Sequence, residues 1–275
     1  MNYLERMRYR IEGKESPLPA HLGDKRKVRE IAQLMGIRVS EIYFDGTLED
    51  VKWSELPSEF VLKPSFASTS IGVYLLRRQD DGTYLNVLTD KVLELAAIEE
   101  HLRSVALRFL GDKNGGTYLV EELLRDIDGT TPPRDVRMYS FFGEVGMVLM
   151  EDHLNHAHAE AMYFDGDFEP FEDRESRYGV AKGADKLERI LPSVRPAEAR
   201  ELLIAARRVS LAIPCSFSRV DFYNTSKGVY LGEITFYPGT FYYKDRKIMH
   251  DVEADRLGRL WARAEERLEL AKTTA

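Results

Sequence analysis

The sequence predicts an α+β protein made of two β-rich lobes, and three observations predict it. Residues 60–84, 117–123, 135–151 and 218–236 are strand-forming segments with turn chemistry between or within them. Residues 93–110 and 252–270 carry apolar side chains at helical spacing, so each has a face to lay against a sheet. Gly115-Gly116 forms a flexible joint, and the lobe boundary falls there. The expected organisation is an N-terminal arm over 1–23, a first lobe over 24–116 and a second lobe over 117–275.

Residues 1–20 are charged and end in Pro17-Leu18-Pro19, which reads as a short helix or arm followed by a break. Residues 24–35 form a helix with Val28, Ile31, Ala32 and Met35 at helical spacing, closed by Gly36. Residues 37–50 carry a short strand and a loop. The helix over 93–110 should pack on the sheet of the first lobe. Residues 128–133 form a loop, and 135–142 and 145–151 pair as a hairpin around Gly143-Glu144. Residues 174–192 are polar and poorly patterned, a mobile loop by expectation. Pro196 opens a helix that runs to about residue 211. In the last helix Leu257, Leu260, Trp261, Ala264 and Leu268 share a face, which is core packing.

Composition narrows the class. The 275 residues are 44% hydrophobic and 31% charged, as in a globular protein of one or two closely joined lobes. A net charge of −7 argues against nucleic acid or an anionic membrane as the main partner. The single cysteine, Cys215, excludes an intrachain disulfide, and its apolar context marks it as buried filler. No run approaches the roughly 18 apolar residues of a membrane span, and the start lacks a signal-peptide core. A cytoplasmic enzyme is expected.

The most informative segment is 218–239, SRVDFYNTSKGVYLGEITFYPG. Residues 218–223 and 229–236 are strands, and 224–228 is turn chemistry. Pairing Tyr223 with Val229 puts Asp221 opposite Leu231 and Arg219 opposite Glu233, with all odd-numbered residues on one face. Arg219, Asp221, Glu233 and Thr235 then converge. Two carboxylates beside an arginine suit a divalent metal and phosphate, since Mg²⁺ takes hard oxygen ligands. A surface hairpin with a cross-strand ion pair has the same pattern. A second segment, 60–76, runs from a strand through Lys63-Pro64 into a small, hydroxyl-rich loop with Ser65, Ala67, Ser68, Thr69, Ser70 and Gly72. Such loops let backbone N–H groups approach phosphate oxygens, and Lys63 can reach the same phosphates. The order of a Walker loop is absent, and an ordinary hairpin loop has the same composition.

With these two segments in hand, the chain resembles the ATP-grasp superfamily, and within it the TupA-like (teichuronopeptide biosynthesis-like) proteins. KPSFASTSIGV is similar to the phosphate loop of the D-alanine–D-alanine ligases, YLVEELL to the strand that holds adenine, and RDVRMYSFFGEV to the strand pair that follows. The hairpin 219–239 resembles the metal-binding hairpin, and it and AMYFDGDFEPFED are similar to the TupA-like branch. The resemblance runs in the family's order from Asp24 to about Gly239. It implies an ATP-grasp fold with the nucleotide between the two lobes, and ATP and Mg²⁺ as cofactors.

The resemblance also implies roles. Lys25 and Lys63 match the phosphate-binding lysines; Ser68, Thr69, Ser70 and Gly72 match the loop over the β- and γ-phosphates. Glu121, Glu122 and Leu124 match the hinge whose backbone pairs with adenine. Asp135 stands where an acidic residue meets the ribose, with Asp128 as a rival, and Arg137 shares its strand face. Asp221 and Glu233 match the metal carboxylates, and Arg219 the arginine that steadies the reacting oxygens. Pro238-Gly239 matches a turn whose N–H faces a developing oxyanion. Thr235 stands where the familiar ligases have asparagine, a departure that bears on the number of metal ions. Lys182 matches a γ-phosphate lysine.

A further departure is that only 24 residues precede Lys25, so the usual separate N-terminal domain is not seen in this sequence. Substrate then falls to the two lobes, a partner chain, or the segment 151–182 with His153, His156 and His158. His156 and His158 line a substrate cleft in one reading and a solvated loop in another, and their spacing is not a zinc pattern. The lobe that normally leans on the extra domain would expose apolar surface. Tyr3, Leu4, Met7 and Tyr9 of the arm therefore suggest a homodimer with the arm on or near the first lobe, or an arm that covers its own chain. The expected reaction is ligation of a small-molecule carboxylate to an amine through an acyl phosphate. The rivals are a phosphotransferase acting on a hydroxyl and a non-catalytic nucleotide-binding protein.

Overall fold

The computed structural model describes residues 1–15, 17–67, 71–152, 159–183, 188–241 and 247–274. The chain opens with α1 (Tyr3–Ile11) and α2 (Lys25–Leu34). Then come β1 (Ile42–Gly46), β2 (Glu59–Pro64), β3 (Tyr74–Arg78), β4 (Tyr84–Asn86), β5 (Lys91–Leu93), α3 (Leu95–Leu110) and β6 (Tyr118–Glu121). β7 (Asp135–Phe141), β8 (Glu144–Asp152) and β9 (Ala159–Asp165) lead to a short α4 (Arg174–Arg177), β10 (Tyr178–Val180) and β11 (Glu188–Ile190). The chain closes with α5 (Ala199–Ala212), β12 (Ser218–Thr225), β13 (Gly228–Thr235), β14 (Lys247–Met249) and α6 (Asp251–Thr274).

Two compact units form. One comprises Ser40–Arg125 and Gly129–Pro132; the other comprises Met1–Val39, Asp126–Asp128 and Pro133–Ala275. The first is a sheet of order β1-β6-β2-β3-β4-β5. Its Phe60, Leu62, Tyr74, Leu76, Tyr118 and Val120 bury one face together with Ile98 and Leu102 of α3. α3 ends at Gly111 in the left-handed region, which glycine enters without a Cβ clash.

The second unit has a sheet of order β11-β9-β8-β7-β12-β13. Strand alternation sends Val136, Met138, Val148, Phe164, Val220 and Phe222 to one face, where α2 and α5 cover them. Tyr139, Phe141, Met147, Leu149 and Tyr163 go to the other face, against Leu257, Leu260, Trp261 and Ala264 of α6. The predicted Trp261 stripe is therefore core, and Cys215 is buried in the cluster of the opposite face, as expected of filler. Burial pushes the Cys215 thiol pKa up.

Three expectations about organisation are corrected. The lobe boundary does not fall at Gly115-Gly116, because β6, just after it, pairs with both β1 and β2 inside the first sheet. Gly116 instead permits a close approach: a Cβ there would lie 2.4 Å from the Phe66 ring. Residues 24–39, expected in the first lobe, belong to the unit that carries the 218–239 hairpin, because Val28 and Ala32 of α2 are part of its core. Much of 174–192 is regular structure: β10 pairs with β14, and β11 extends the sheet beside β9. Tyr178 is buried there and stacks on Tyr163 at 4.2 Å between ring centroids. These strands of three residues are too short for a periodic signal, and tertiary pairing decides them.

The arm packs on α6 rather than on the first lobe. α1 is capped by Asn2, which accepts from the Glu5 N–H while the Glu5 carboxylate accepts from the Asn2 N–H. Tyr3 and Met7 are fully buried against α6 in the second unit, not on the first. Tyr3 and Met7 of the arm are thus packed within this chain, whereas Tyr9 stays exposed. No helix among the described residues is long and apolar enough to cross a membrane. Met7→Ala should lower stability by about 2–5 kcal/mol, the usual cost of truncating a buried methionine. Equilibrium denaturation measures it, and a loss well below that range would mean the arm is not part of the core.

Candidate active site

The hairpin forms with a register that differs from the simple one. β12 continues through Asn224 and Thr225, so Tyr223 pairs with Tyr230 and Asn224 with Val229. Contacts from elsewhere in the chain extend the strand: the Ile127 N–H donates to the Asn224 carbonyl, and the Asn224 amide donates to Glu198 at 3.1 Å. Carried along both strands, that register would put Glu233 opposite Val220, on the core side. It does not, because Gly232 is an extra residue on β13. Phe222 pairs with Leu231, whereas Asp221 pairs with Glu233 and Arg219 with Thr235. The bulge moves Glu233 and Thr235 onto the face of Asp221 and Arg219. Glycine suits the position, since a Cβ would meet the Tyr223 ring at 3.0 Å and the Asp221 carbonyl oxygen at 3.3 Å.

The four predicted residues therefore converge. Arg219 donates from Nε and Nη2 to both Asp221 oxygens at 2.7 and 2.6 Å, a forked charge-assisted pair. Its Nη2 also lies 3.7 Å from Glu233 and 3.5 Å from the Thr235 hydroxyl. The Asp221 side chain is 9% exposed and that of Glu233 is 58%, so the site has one buried and one open carboxylate.

The same sheet face carries a continuous row of charge. Asp221 pairs across the sheet with Arg137, whose Nε lies 4.0 Å from it. Arg137 holds Asp135 at 2.7 Å and donates to Glu151. Glu151 meets Lys247 at 2.9 Å, and Lys247 lies 3.8 Å from Glu188, which accepts from the Tyr163 hydroxyl. Among the described residues the row joins five carboxylates, Glu233, Asp221, Asp135, Glu151 and Glu188, to three cations, Arg219, Arg137 and Lys247. Burial pushes the Asp221 carboxyl up to about 6; Glu233 adds to the shift, while Arg219 and Arg137 oppose it. Burial likewise raises Glu188 and lowers Lys247.

These features fit a divalent cation. The donors are hard oxygens, and a buried carboxylate, Asp221, stands beside an open one, Glu233, on the same face. Among the described residues no group of three or more His, Cys, Asp or Glu could hold a metal alone. Mg²⁺ at a phosphate site is commonly held by one or two carboxylates, with phosphate oxygens and water completing the shell.

In the other unit, Lys63 pairs with Glu121 across β2 and β6, and the Ser40 hydroxyl donates to the same carboxylate at 3.1 Å. The loop after Lys63 is anchored at its base: the Ser65 N–H donates to the Thr117 carbonyl at 2.9 Å, and Phe66 packs edge-on against Tyr118. Gly72 closes the loop at φ +74°, with Pro64 3.2 Å from where a Cβ would be. The Glu122 N–H donates to the Glu41 carbonyl, and Leu124 is buried. Ser68, Thr69, Ser70, His156 and His158 lie outside the described residues.

The remaining predicted residues fall in the hairpin's unit. Lys25 is exposed in the first turn of α2, behind an Asp24 cap. Asp135 belongs to the row through Arg137, whereas Asp128 pairs with Arg134. Gly239 begins a short 3₁₀ turn, Gly239–Phe241. Lys182 is exposed beyond β10. Lys247, Glu151 and Glu188 were missed as members of the row. Lys247 sits on a strand of three residues, and nothing in its local pattern marks it as buried.

The family model for TupA-like ATP-grasp proteins matches residues 4–257. The chain belongs to the TupA-like ATP-grasp family. No curated protein sequence matches it significantly. Among solved structures, this TupA-like chain is similar to D-alanine–D-alanine ligase from Bacillus anthracis, at 16% identity and a TM-score of 0.48, with 90% of this chain and 69% of that one covered. The Helicobacter pylori D-alanine–D-alanine ligase gives 14% identity and a TM-score of 0.48, covering 87% and 57%. The ATP-grasp ligase PsnB, solved with a precursor variant, Mg and ADP, gives 12% and 0.45, covering 90% and 60%. The chain thus spans about three fifths of the length of the latter two.

The raised Asp221 pKa sets a pH dependence. Without metal, the folded protein binds a proton that the unfolded chain has already released between about pH 4 and pH 6, so this group's contribution to stability falls as pH rises through that window. A metal ion held by Asp221 would compete with the same proton. The affinity of the TupA-like chain for Mn²⁺ in the presence of ADP should be level above about pH 7 and weaken towards roughly tenfold per unit below about pH 6. Calorimetric titration across that range checks it; an unchanging affinity would remove Asp221 from the metal site.

Proposed function

We propose that this protein is an ATP- and Mg²⁺-dependent ligase that joins a carboxylate to an amine through an acyl phosphate. The observation that carries the proposal is the hairpin set, with Arg219 forked on buried Asp221 and Glu233 and Thr235 beside them. Membership of an ATP-grasp family supports ATP as the phosphoryl donor. Asp221 and Glu233 would hold Mg²⁺, with the Thr235 hydroxyl as a neutral oxygen. The metal would neutralise charge that builds on the phosphates as the γ-phosphoryl group moves.

The chain's own groups would do the rest. Arg219, drawn off Asp221 when the metal binds, would steady the reacting phosphoryl and acyl oxygens. Lys63, Lys25 and the loop residues Ser68, Thr69, Ser70 and Gly72 would contact phosphate. The backbone at Glu121 and Leu124 would meet adenine, with Glu122 tied to Glu41; Asp135 would meet the ribose and Arg137 the phosphates. The Gly239 N–H would face the oxyanion, and His156, His158 and Lys182 would line the substrate side.

A substrate carboxylate oxygen attacks the γ-phosphorus, and the bond to the β,γ-bridging oxygen breaks to release ADP. The amine then attacks the acyl carbon, inorganic phosphate leaves, and the nitrogen loses a proton. No protein nucleophile is needed. Small-molecule acid and amine substrates from natural-product or cell-surface polymer biosynthesis suit this chemistry, as does a cytoplasmic location, where ATP is supplied.

Sustained ADP turnover should require acid and amine together, because the acyl phosphate formed from acid alone has no nucleophile to consume it. Transfer to a hydroxyl without an amine would point to a phosphotransferase instead. Asp221→Asn and Glu233→Gln should fold normally and lose turnover; full ADP formation by either would sink the metal assignment. Lys63→Ala should weaken ATP binding by roughly 1.5–3 kcal/mol, the scale of a charge-assisted contact. An unchanged calorimetric affinity would take Lys63 out of the site.

A further inference from the structure

The open end of the hairpin is held in an unusual way. β13 leaves the ladder after Thr235, whose partner is Arg219, and beyond that rung β12 has β7 alone as its neighbour. The carbonyls flanking the lost rung belong to Phe217 and Phe236. Both accept from a single nitrogen, Nη1 of Arg10 on α1, at 3.0 and 2.8 Å. This guanidinium replaces the missing rung with two bonds from one donor group. Arg10 is 1% exposed. Its Nε and Nη2 donate to the two oxygens of Glu15 at 2.6 and 3.0 Å, which supplies the counter-charge that a buried cation requires. Its plane lies over the Trp261 ring, with Cζ 4.5 Å from the centroid. The Cys215 thiol donates to the same Phe217 carbonyl at 3.0 Å, and the Trp261 indole N–H holds Ser216 at 3.0 Å. A residue more than 200 positions away in sequence is thus fixed from every side, and what it grips is the base of the hairpin.

The position matters for the chemistry. Phe217 lies two residues before Arg219, and Phe236 directly follows Thr235. Arg219 and Thr235 form the last rung, and Asp221 and Glu233 lie two residues further in. The bulge at Gly232 disrupts the ladder locally, so beyond it only the rungs at Glu233, Ile234 and Thr235 join β13 to β12. A clamp on the two flanking carbonyls reinforces this short stretch.

We infer that Arg10 is a positioning residue for the metal hairpin, holding β12 and β13 in the register that brings Glu233 and Thr235 beside Asp221. The inference rests on the proposed metal role of Asp221 and Glu233, and the test separates the two. Mn²⁺ affinity is measured with ADP present in the wild-type chain, Asp221→Asn, Arg10→Met and Arg10→Lys, with near-ultraviolet circular dichroism to establish that each variant is folded. Arg10→Met should bind Mn²⁺ about tenfold or more weakly while folded, the scale on which residues that orient metal ligands act. Arg10→Lys keeps the charge but cannot span Glu15 and both carbonyls, so it should fall between. A purely structural role for Arg10 would lower the melting temperature and leave the Mn²⁺ affinity of the folded variant unchanged; that result overturns the inference. Should Arg10→Met fail to fold, Arg10→Lys decides alone, and wild-type affinity there counts against the clamp. Wild-type protein that binds no Mn²⁺, or Asp221→Asn that binds it as well as wild type, overturns the metal site and the clamp together.

Discussion

One extra residue on one strand decides whether the two proposed metal carboxylates share a face. Without the bulge at Gly232, Glu233 would turn to the apolar side, toward Val220 and the core beneath α5, and Asp221 would have no carboxylate beside it. With the bulge, an apolar strand keeps Val229, Leu231, Ile234 and Phe236 in the core and still presents Glu233 and Thr235 on the opposite face. The parity switch satisfies two demands that strict alternation cannot meet together.

The charge row follows from the same sheet. One face is mainly apolar under α2 and α5, with Ser140 and Ser218 among its buried residues, so most of the hydrophobic core is built apart from the charged row. The other face is divided. Its aromatic part lies under α1 and α6, and the row from Glu233 to Glu188 occupies the remainder. Buried ion pairs of this kind add little net stability, because desolvation offsets the attraction. What the row provides is a fixed arrangement of alternating carboxylates and cations along one sheet face. The fork of Arg219 on Asp221 keeps these two groups aligned.

Much of this was legible in the sequence where local pattern and tertiary demand agree. The hairpins, α2, α3, α5, α6 and the convergence of Arg219, Asp221, Glu233 and Thr235 all follow from periodicity and turn residues. The convergence was reached through a register that ignored the bulge, although the apolar positions 229, 231, 234 and 236 record it as a break in parity. The remaining features depend on distant partners. β6 looked like the start of a second lobe because Gly115-Gly116 precedes it, yet its pairing partners β1 and β2 lie 50 or more residues upstream. α1 was recognised as amphipathic, but its spacing does not say which surface it covers. Lys247 and Arg10 resemble surface cations until the carboxylates that receive them, Glu151 and Glu15, are in place.

The central claim is that Asp221 and Glu233 share a metal ion with nucleotide phosphate. Anomalous scattering from crystals grown with Mn²⁺ and ADP tests it most directly. The account predicts a peak within about 2.5 Å of a carboxylate oxygen from each residue, with Arg219 swung off Asp221. Bound ADP with no Mn²⁺ peak at the hairpin, or a peak held by other residues while the Arg219 fork on Asp221 stays closed, would contradict it.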